Sequence, residues 1–366
     1  MKRIIGEFKG PFARFVYKKL LFLTVAIFIS MTFAFIFPRL MPSSPVDIMI
    51  GRIAGGEASA AGTTTILTPS GMEASRIDVL RAIYMEKFGI NEPPIVQYVD
   101  FWKRFFTMDF GVSYYRYPTS VSSLIMEALP WTLALVIPVL PVGFLVGNLI
   151  GSRAAYHRGR VDKALYYVLM FLSQAPYYWF ALIFMLVLGV LPFRLFRVRL
   201  FPLFGSYSYD KWLYPVPTLE WFLDAAWHYC LPFLSLVGLG IGATGVGMRA
   251  MTLYEMESDY IQYSKQLGFG KSKLRKYSVR NAILPNFTWL PVTLSSLVGQ
   301  TLLVEIIFGY PGLGNLAYNA IFNMDYPLIE ATFIFSVGIV LVGNFLIDIL
   351  YGILDPRIGS SYVGGK

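Results

Sequence analysis

Long apolar runs dominate the chain and predict its architecture. A bilayer core of about 30 Å requires roughly 20 mainly apolar helical residues, and six runs of about this length carry almost no charge. They are residues 20–37, 131–151, 164–191, 230–248, 287–308 and 330–354. The third run is long enough to tilt or kink, and Pro176 in its middle is the expected place. The pattern predicts an all-α membrane protein with six transmembrane helices.

The distribution of lysine and arginine predicts the orientation of these helices. With the N-terminus inside, the inner segments 1–19, 152–163, 249–286 and 355–366 carry 19 Lys and Arg over 81 residues. The outer segments carry 12 over 152 residues, and long outer loops cross the membrane largely regardless of charge. We therefore expect both termini to be cytoplasmic and the first run to remain as an anchor.

This orientation gives a plan of the domains. Residues 1–37 form the cytoplasmic N-terminus and first transmembrane helix, and residues 38–130 form a large outer loop. Residues 131–366 form a core of five transmembrane helices with a cytoplasmic connection at 249–286. In the outer loop, the Gly/Ala/Thr-rich stretch 51–65 is typical of a flexible linker, and residues 74–88 predict an amphipathic helix on the outer surface.

A second outer connection, residues 192–229, is rich in aromatic residues and proline. Two interpretations stay open for it. The aromatic rings form a belt at the membrane interface, or they form a docking platform for a partner.

Composition removes several classes of function. The chain is 56% hydrophobic and only 14% charged, so its net charge of +9 fits basic residues beside cytoplasmic helix ends better than nucleic-acid binding. One cysteine, Cys230, excludes an intramolecular disulfide framework. The two histidines, His157 and His228, do not match a His/Cys metal site at any familiar spacing. No cofactor is expected in this chain.

Two glycine motifs suggest nucleotide binding and fail on their context. Residues 268–272 resemble the end of a phosphate-binding loop, but Lys265 stands where that loop needs an earlier glycine. The GxGxxG match at 240–245 lies inside an apolar run, where Gly238, Gly242 and Gly245 favour close helix packing instead.

Few charges lie inside the predicted spans. Glu305 is near the outer end of the fifth run, and Asp348 is in the inner part of the sixth, one turn after Asn344. A proton or sodium relay needs several such groups deep in the bundle. An ion-driven secondary transporter is therefore the weaker hypothesis.

The connection 249–286 is too long for a simple turn and has ordered periodicity. Tyr260, Tyr263, Ser264 and Leu267 share one helical face, and Gly268 is placed to end that helix in a left-handed cap. Residues 272–280 predict a second, strongly basic helix, and Pro285 is expected to close the segment. The basic side chains also suit contact with anionic lipid, and the two roles are compatible.

Residues 260–268, followed by Arg280-Asn281-Ala282-Ile283-Leu284-Pro285, resemble the EAA loop of ATP-binding-cassette (ABC) importer permeases in its dipeptide/oligopeptide form. Two positions differ: Gln262-Tyr263-Ser264 stands where the general motif has Glu-Ala-Ala, and Tyr277 replaces a frequent histidine. Further similar motifs lie on both sides, in matching order. They are residues 88–90, 94–98, 109–111, 311–314, 325–327, Asn344 with Asp348, and 354–358.

The resemblance implies a transport subunit of the cell membrane, without enzymatic activity of its own. It implies a second homologous permease, two ATPase subunits that bind ATP and Mg²⁺, and an extracellular substrate-binding protein. Peptides are the first choice of substrate, with oligosaccharides and nickel complexes as alternatives. In this family the EAA loop forms a coupling helix seated in the ATPase. The expected contact residues are Asp259, Tyr260, Tyr263, Leu267, Gly268 and Phe269.

Mildly polar residues within the apolar helices are the candidates for the translocation path. They are Asn148, Ser173, Gln174, Ser295, Ser296 and Gln300. Hydrogen bonding between helices is an alternative role for each of them.

Overall fold

Helices make up most of the computed structural model, which describes residues 11–41, 65–67, 73–87, 89–156, 159–211 and 218–354. The first part of the chain contains α1 (Pro11–Arg39), β1 (Thr65–Leu67), β2 (Glu73–Ser75), α2 (Arg76–Lys87), α3 (Pro94–Thr107), α4 (Val121–Tyr156) and α5 (Arg160–Gln174). It continues with α6 (Tyr177–Phe184), a π-helix (Met185–Val190), α7 (Leu191–Phe196), α8 (Leu219–Met256), α9 (Asp259–Gln266), α10 (Lys271–Thr288), α11 (Leu290–Ile307), α12 (Leu313–Phe322) and α13 (Tyr326–Leu354).

Within these described residues, six helical segments are long and apolar enough to cross a membrane. They are Phe15–Arg39, Val121–Tyr156, Tyr177–Phe196, Leu219–Met256, Leu290–Ile307 and Tyr326–Ile353. The predicted number of six spans and the all-α class are thus confirmed. The antiparallel pair β1–β2, which joins Thr65 to Ser75, is a small exception.

The third span differs from its prediction. The run 164–191 is not one kinked helix, because α5 ends at Gln174 and α6 begins at Tyr177. Proline disfavours helical geometry in the residue before it, and Ala175 accordingly has an extended ψ of 136°. The span therefore starts at Tyr177, and α5 is a separate helix that packs along α8.

Two other regions bear on the predictions for the connections. A helix is confirmed at Arg76–Lys87 as α2, but Ala74 and Ser75 belong to β2, and the amphipathic character and outer position of α2 stay predictions. Residues 51–64 of the predicted linker and residue 88 lie outside the described residues. In the connection 192–229 the rings of Trp131, Tyr207 and Trp221 pack together with centroids 6.0–6.4 Å apart. This packing fits an interfacial belt and a docking platform equally, so both stay predictions.

The chain divides into two compact units. The first contains residues 1–25, 130–315 and 338–366, and its core lies where α4 and α8 meet at glycines. A Cβ atom on Gly147 would lie 1.9 Å from Thr244 Oγ1, and one on Gly151 would lie 2.2 Å from the carbonyl oxygen of Gly245. Only hydrogen fits at these places, so the two backbones touch.

The predicted small-residue face on α8 is thereby confirmed in part. A Cβ on Gly242 would lie 2.5 Å from the backbone nitrogen of Ser173 on α5, so this glycine also marks a close approach. Gly238 does not, because its nearest neighbour, Leu172, is 3.9 Å from the Cβ position.

The second unit contains residues 26–129 and 316–337. Its apolar cluster joins α1 to α3 through buried Met31, Ala34, Phe35 and Phe101. At the start of α13, the carboxylate of Asp325 accepts hydrogen bonds from the backbone N–H groups of Leu328 and Tyr115 and from the hydroxyl of Ser113. Burial raises the pKa of Asp325, and these hydrogen bonds oppose the rise. The Asp-Tyr-Pro motif thus caps a helix.

Candidate functional site

The predicted coupling residues lie on α9 and in the turn after it. Tyr260, Tyr263 and Leu267 expose 38%, 63% and 57% of their surfaces, whereas Ile261 on the opposite side is buried. The short helix therefore presents an apolar face to its surroundings. Such a face on an element of eight residues is a suitable contact for another protein.

Tyr260 also holds α9 in place. Its hydroxyl donates to Glu255 Oε2 at 2.5 Å, at the end of α8, and accepts from Asn281 Nδ2 of α10 at 2.9 Å. Burial, and then the bond to Glu255, raise the pKa of Tyr260, so the phenol keeps its proton at neutral pH. α9 is thus tied to the two helices that flank it, and Asn281 belongs to the Arg-Asn pair of the sequence motif.

Gly268 ends α9 as predicted. Its φ is +77°, in the left-handed region, and its N–H donates to the carbonyl of Lys265 at 3.0 Å. Phe269 then turns back towards α10, where Lys273 Nζ lies 4.0 Å from its ring centroid and the Tyr277 ring is 6.4 Å away. Asp259 is in the first turn of α9.

The second helix of this connection is longer than predicted. The basic helix expected at 272–280 is confirmed, but Pro285 does not close the segment, since α10 continues to Thr288. Proline removes only one backbone donor, and the buried side chains of Ala282 and Asn286 hold the helix on both sides of that gap. On the N-terminal side, α8 continues to Met256 before the connection begins.

A cavity of about 200 Å³ lies in the first unit. Three of the predicted path residues, Ser173, Ser296 and Gln300, line it together with Thr244 and Thr293. Its remaining lining is apolar, and none of the described residues that line it carries a charge. The cavity offers hydroxyl and amide groups for hydrogen bonding and no fixed ion-pair partner.

The other three path candidates lie elsewhere. Asn148 is buried and accepts a hydrogen bond from Asn286 Nδ2 at 2.8 Å, which links α4 to α10. Ser295 accepts from Asn344 Nδ2 at 3.2 Å, which links α11 to α13. Gln174 is the last residue of α5 and does not line the cavity. Helix-to-helix hydrogen bonding, the alternative weighed for these residues, describes the geometry of Asn148 and Ser295.

Glu305 forms a polar centre that the sequence indicated only as an isolated charge. It is fully buried and accepts hydrogen bonds from Thr132 Oγ1 at 2.7 Å and from the N–H groups of Gly314 and Asn315 at 2.6 and 3.3 Å. A Cβ on Gly312 would lie 2.2 Å from its carboxylate. The Pro-Gly-Leu-Gly motif therefore leaves room for a carboxylate at the N-terminus of α12.

Asp348, the other charge noted inside a span, is paired. Its carboxylate lies 2.7 Å from Lys19 Nζ, which joins α13 to α1 within the first unit. A further ion pair joins α8 to α5, where Arg249 binds both carboxylate oxygens of Asp162 at 2.7 and 2.8 Å. Each of these acids thus has a structural partner.

Comparison with known proteins gives the family. The family model described as "Binding-protein-dependent transport system inner membrane component" matches residues 147–360. The oligopeptide transport system permease protein AppB of Bacillus subtilis is 31% identical over 330 residues, which cover 89% of this chain and 99% of AppB.

Two further relatives extend the match over almost the whole chain. The oligopeptide transport system permease protein OppB of Haemophilus influenzae is 28% identical, over 94% of this chain and 99% of its own length. The dipeptide transport system permease protein DppB of Bacillus subtilis is 26% identical, over 94% and 98%. The resemblance read from the motifs is therefore confirmed. The chain belongs to the family of inner-membrane components of binding-protein-dependent transport systems, and it is a multi-pass permease of the cell membrane.

Proposed function

We propose that this chain is the permease subunit of an ABC importer that carries oligopeptides or dipeptides. The relatives that match it over nine-tenths of its length are named for these substrates. The observation that carries the mechanism is α9, a short helix with an exposed apolar face that is fixed to the end of α8. A subunit driven by a separate motor protein requires such a contact.

Four kinds of partner complete the proposed machine. A second homologous permease contributes the other half of the path, and two ATPase subunits bind ATP and Mg²⁺ and supply the hydrolysis. An extracellular binding protein delivers the peptide, and lipid surrounds the helices. The segments assigned to the same side of the membrane as the N-terminus carry most of the lysine and arginine. This excess supports cytoplasmic termini, with α9 on the same side.

The proposed coupling transmits movement through α9. When ATP closes the ATPase pair, α9 moves with its surface, and the hydrogen bonds of Tyr260 to Glu255 and Asn281 carry the displacement to α8 and α10. The bundle then changes from inward-open to outward-open. Because the contact transmits motion only while it is attached, α9 must bind the ATPase in both states.

Purification of the tagged chain from its native membranes tests the composition of this assembly. Two ATPases, a second permease and a binding protein are expected to accompany it. If the chain is recovered without an ATPase, the proposal of an ABC permease is wrong. The function to be tested next is then that of an ion-coupled carrier. Screening the recovered binding protein against peptides, oligosaccharides and nickel complexes then identifies the substrate class.

The uncharged cavity predicts weak selectivity within the membrane. We expect Gln300→Leu to change the ratio of uptake rates for two peptides of unlike sequence by less than about threefold, because selection belongs to the binding protein. A side-chain hydrogen bond that recognised one peptide would contribute up to about 1.5 kcal/mol, or roughly tenfold. Competition between two labelled peptides measures the ratio, with Ser296→Ala as a second variant of the cavity. A tenfold change would show that the cavity itself selects.

A further inference from the structure

α3 runs antiparallel to α1, in a register that extends far along the first span. Near the end of α1, Arg39 Nε donates to Gln97 Oε1 at 3.1 Å. Further along, the ring of Trp102 stacks on Phe28 with centroids 5.5 Å apart. The Arg39 guanidinium folds back to the carbonyl of Phe35, so the contacts with α3 follow α1 from Phe35 to Phe28, about 10 Å at 1.5 Å per residue. α3 therefore lies along the first span rather than across its end.

The depth of these contacts follows from the sequence of α1. Between Lys19 and Arg39 the helix carries no charge, and this stretch is about 28 Å long, close to the thickness of a bilayer core. Phe28 is near its middle. The contact with Trp102 therefore lies near the centre of the bilayer.

The sixth span gives an independent measure of the same depth. After α3 the chain places Phe110 against Phe335 of α13, with ring centroids 5.8 Å apart. Phe335 is nine residues from Tyr326, the first residue of α13, which is about 13 Å along the helix. Both spans thus place the C-terminal end of α3 well inside the membrane.

The surface of α3 divides into three faces with different chemistry. One face packs on α1 through Tyr98, Phe101, Trp102 and Phe105. A second face is apolar and exposed, and consists of Ile95, Val99 and Phe106, which are 68%, 47% and 75% exposed. A third face is charged and consists of Asp100, which is half-buried, and of Lys103 and Arg104, which are exposed.

The charged face borders a polar cavity. This cavity has a volume of about 420 Å³, and Asp100 and Arg104 line it together with Gln97, Arg39 and Glu330. A charged side chain in contact with hydrocarbon costs a few kcal/mol, so charges at this depth face water or protein. The exposed apolar face of Ile95, Val99 and Phe106 has the opposite requirement, because apolar side chains at this depth are stable in contact with hydrocarbon.

We propose that α3 is a re-entrant helix. It enters the bilayer beside α1, its face of Ile95, Val99 and Phe106 contacts lipid acyl chains, and its charged face lines a water-filled recess that reaches towards the bilayer centre. An amphipathic helix lying flat on the membrane would also have a polar and an apolar face. A helix lying flat would not keep its contacts with α1 from Phe35 to Phe28. The inference is independent of the substrate and of the ATPase contact.

Spin labels distinguish the two arrangements. Single cysteines are introduced in the full chain on a Cys230→Ala background, at Val99 and Phe106 on the apolar face and at Lys103 and Arg104 on the charged face. Each variant is labelled with a nitroxide and reconstituted into phospholipid vesicles. Collision rates are then measured with oxygen, which concentrates in lipid, and with a nickel chelate, which stays in water.

Two positions on α1 calibrate the depth. Ile29 is 50% exposed near the middle of the span, and Phe37 is 55% exposed near its end. We expect the label at Phe106 to have an oxygen-dominated ratio close to that of Ile29. The label at Arg104, which lines the polar cavity, is expected to be dominated by the nickel chelate despite lying at a similar depth.

Three outcomes contradict the proposal. A label at Phe106 as shallow as that at Phe37, or shallower, means that α3 lies on the membrane surface. An oxygen-dominated label at Lys103 and Arg104 means that no water reaches the charged face. Nickel access at Val99 and Phe106 means that no lipid covers the apolar face.

Two positions on each face ensure that one poorly folded variant does not decide the result. Monodisperse elution of each variant in detergent is the check on folding.

Discussion

Tyr263→Asp and Gly268→Pro are each expected to abolish ATP-driven uptake while the subunit remains inserted in the membrane. Tyr263 is the most exposed of the aromatic residues on α9, so its ring is available to a partner and a carboxylate there would have to be desolvated in the contact. Proline at position 268 requires a negative φ where the chain has +77°, and it removes the N–H that bonds to Lys265. Both changes alter α9 without touching a span.

Uptake of a labelled peptide and ATP hydrolysis by the assembled complex are the measurements, with the amount of subunit in the membrane fraction as the control for insertion. Tyr263→Phe keeps the ring and should transport normally. Gly268→Ala should be intermediate, because a non-glycine residue at positive φ costs roughly 1 kcal/mol. Normal uptake by Tyr263→Asp would refute the role assigned to α9.

Glu305→Ala is expected to cause the largest loss of stability. The substitution leaves the N–H groups of Gly314 and Asn315 and the hydroxyl of Thr132 without their acceptor in a buried site. Each buried donor without a partner costs about 1–3 kcal/mol, so the total is at least about 3 kcal/mol. The midpoint of thermal unfolding in detergent should fall accordingly.

Glu220→Ala is the matched control for this substitution. Its side chain is 76% exposed and lies 4.0 Å from Lys211, so its loss should change stability by less than about 0.5 kcal/mol. Gly314→Ala should act in the same direction as Glu305→Ala, because the new Cβ would lie 2.5 Å from Leu302 Cα. Equal midpoints for Glu305→Ala and Glu220→Ala would show that the carboxylate does not organise the start of α12.

The spans were predictable because the bilayer imposes one simple requirement, a long apolar helix, that acts on each segment separately. The exception at Ala175 and Pro176 shows where this reasoning stops. Mean hydropathy does not change where the backbone leaves helical geometry. The hydropathy of the run 164–191 therefore does not indicate that its first half forms the separate helix α5. The restriction that proline places on its predecessor was the available signal.

The candidate site was predictable to the extent that its signals are local. The periodicity of Tyr260 and Tyr263 and the glycine at 268 suffice to place α9 and its end. The cavity is different, because it requires knowing which helix faces meet. Ser296 reaches it, whereas Ser295, one residue earlier and therefore about 100° around α11, bonds to α13 instead. Polarity within an apolar run could not separate the two.

The length of α8 has a mechanical consequence. At 38 residues the helix is about 57 Å long, nearly twice the bilayer core, and its end is bound to α9 through Tyr260. A tilt of about 10° around its midpoint would displace each end by roughly 5 Å, in opposite directions. Because the backbone of α4 touches α8 at Gly147 and Gly151, it would be carried along. A small tilt that moves one end of α8 at one membrane face would therefore move its other end in the opposite direction at the other face.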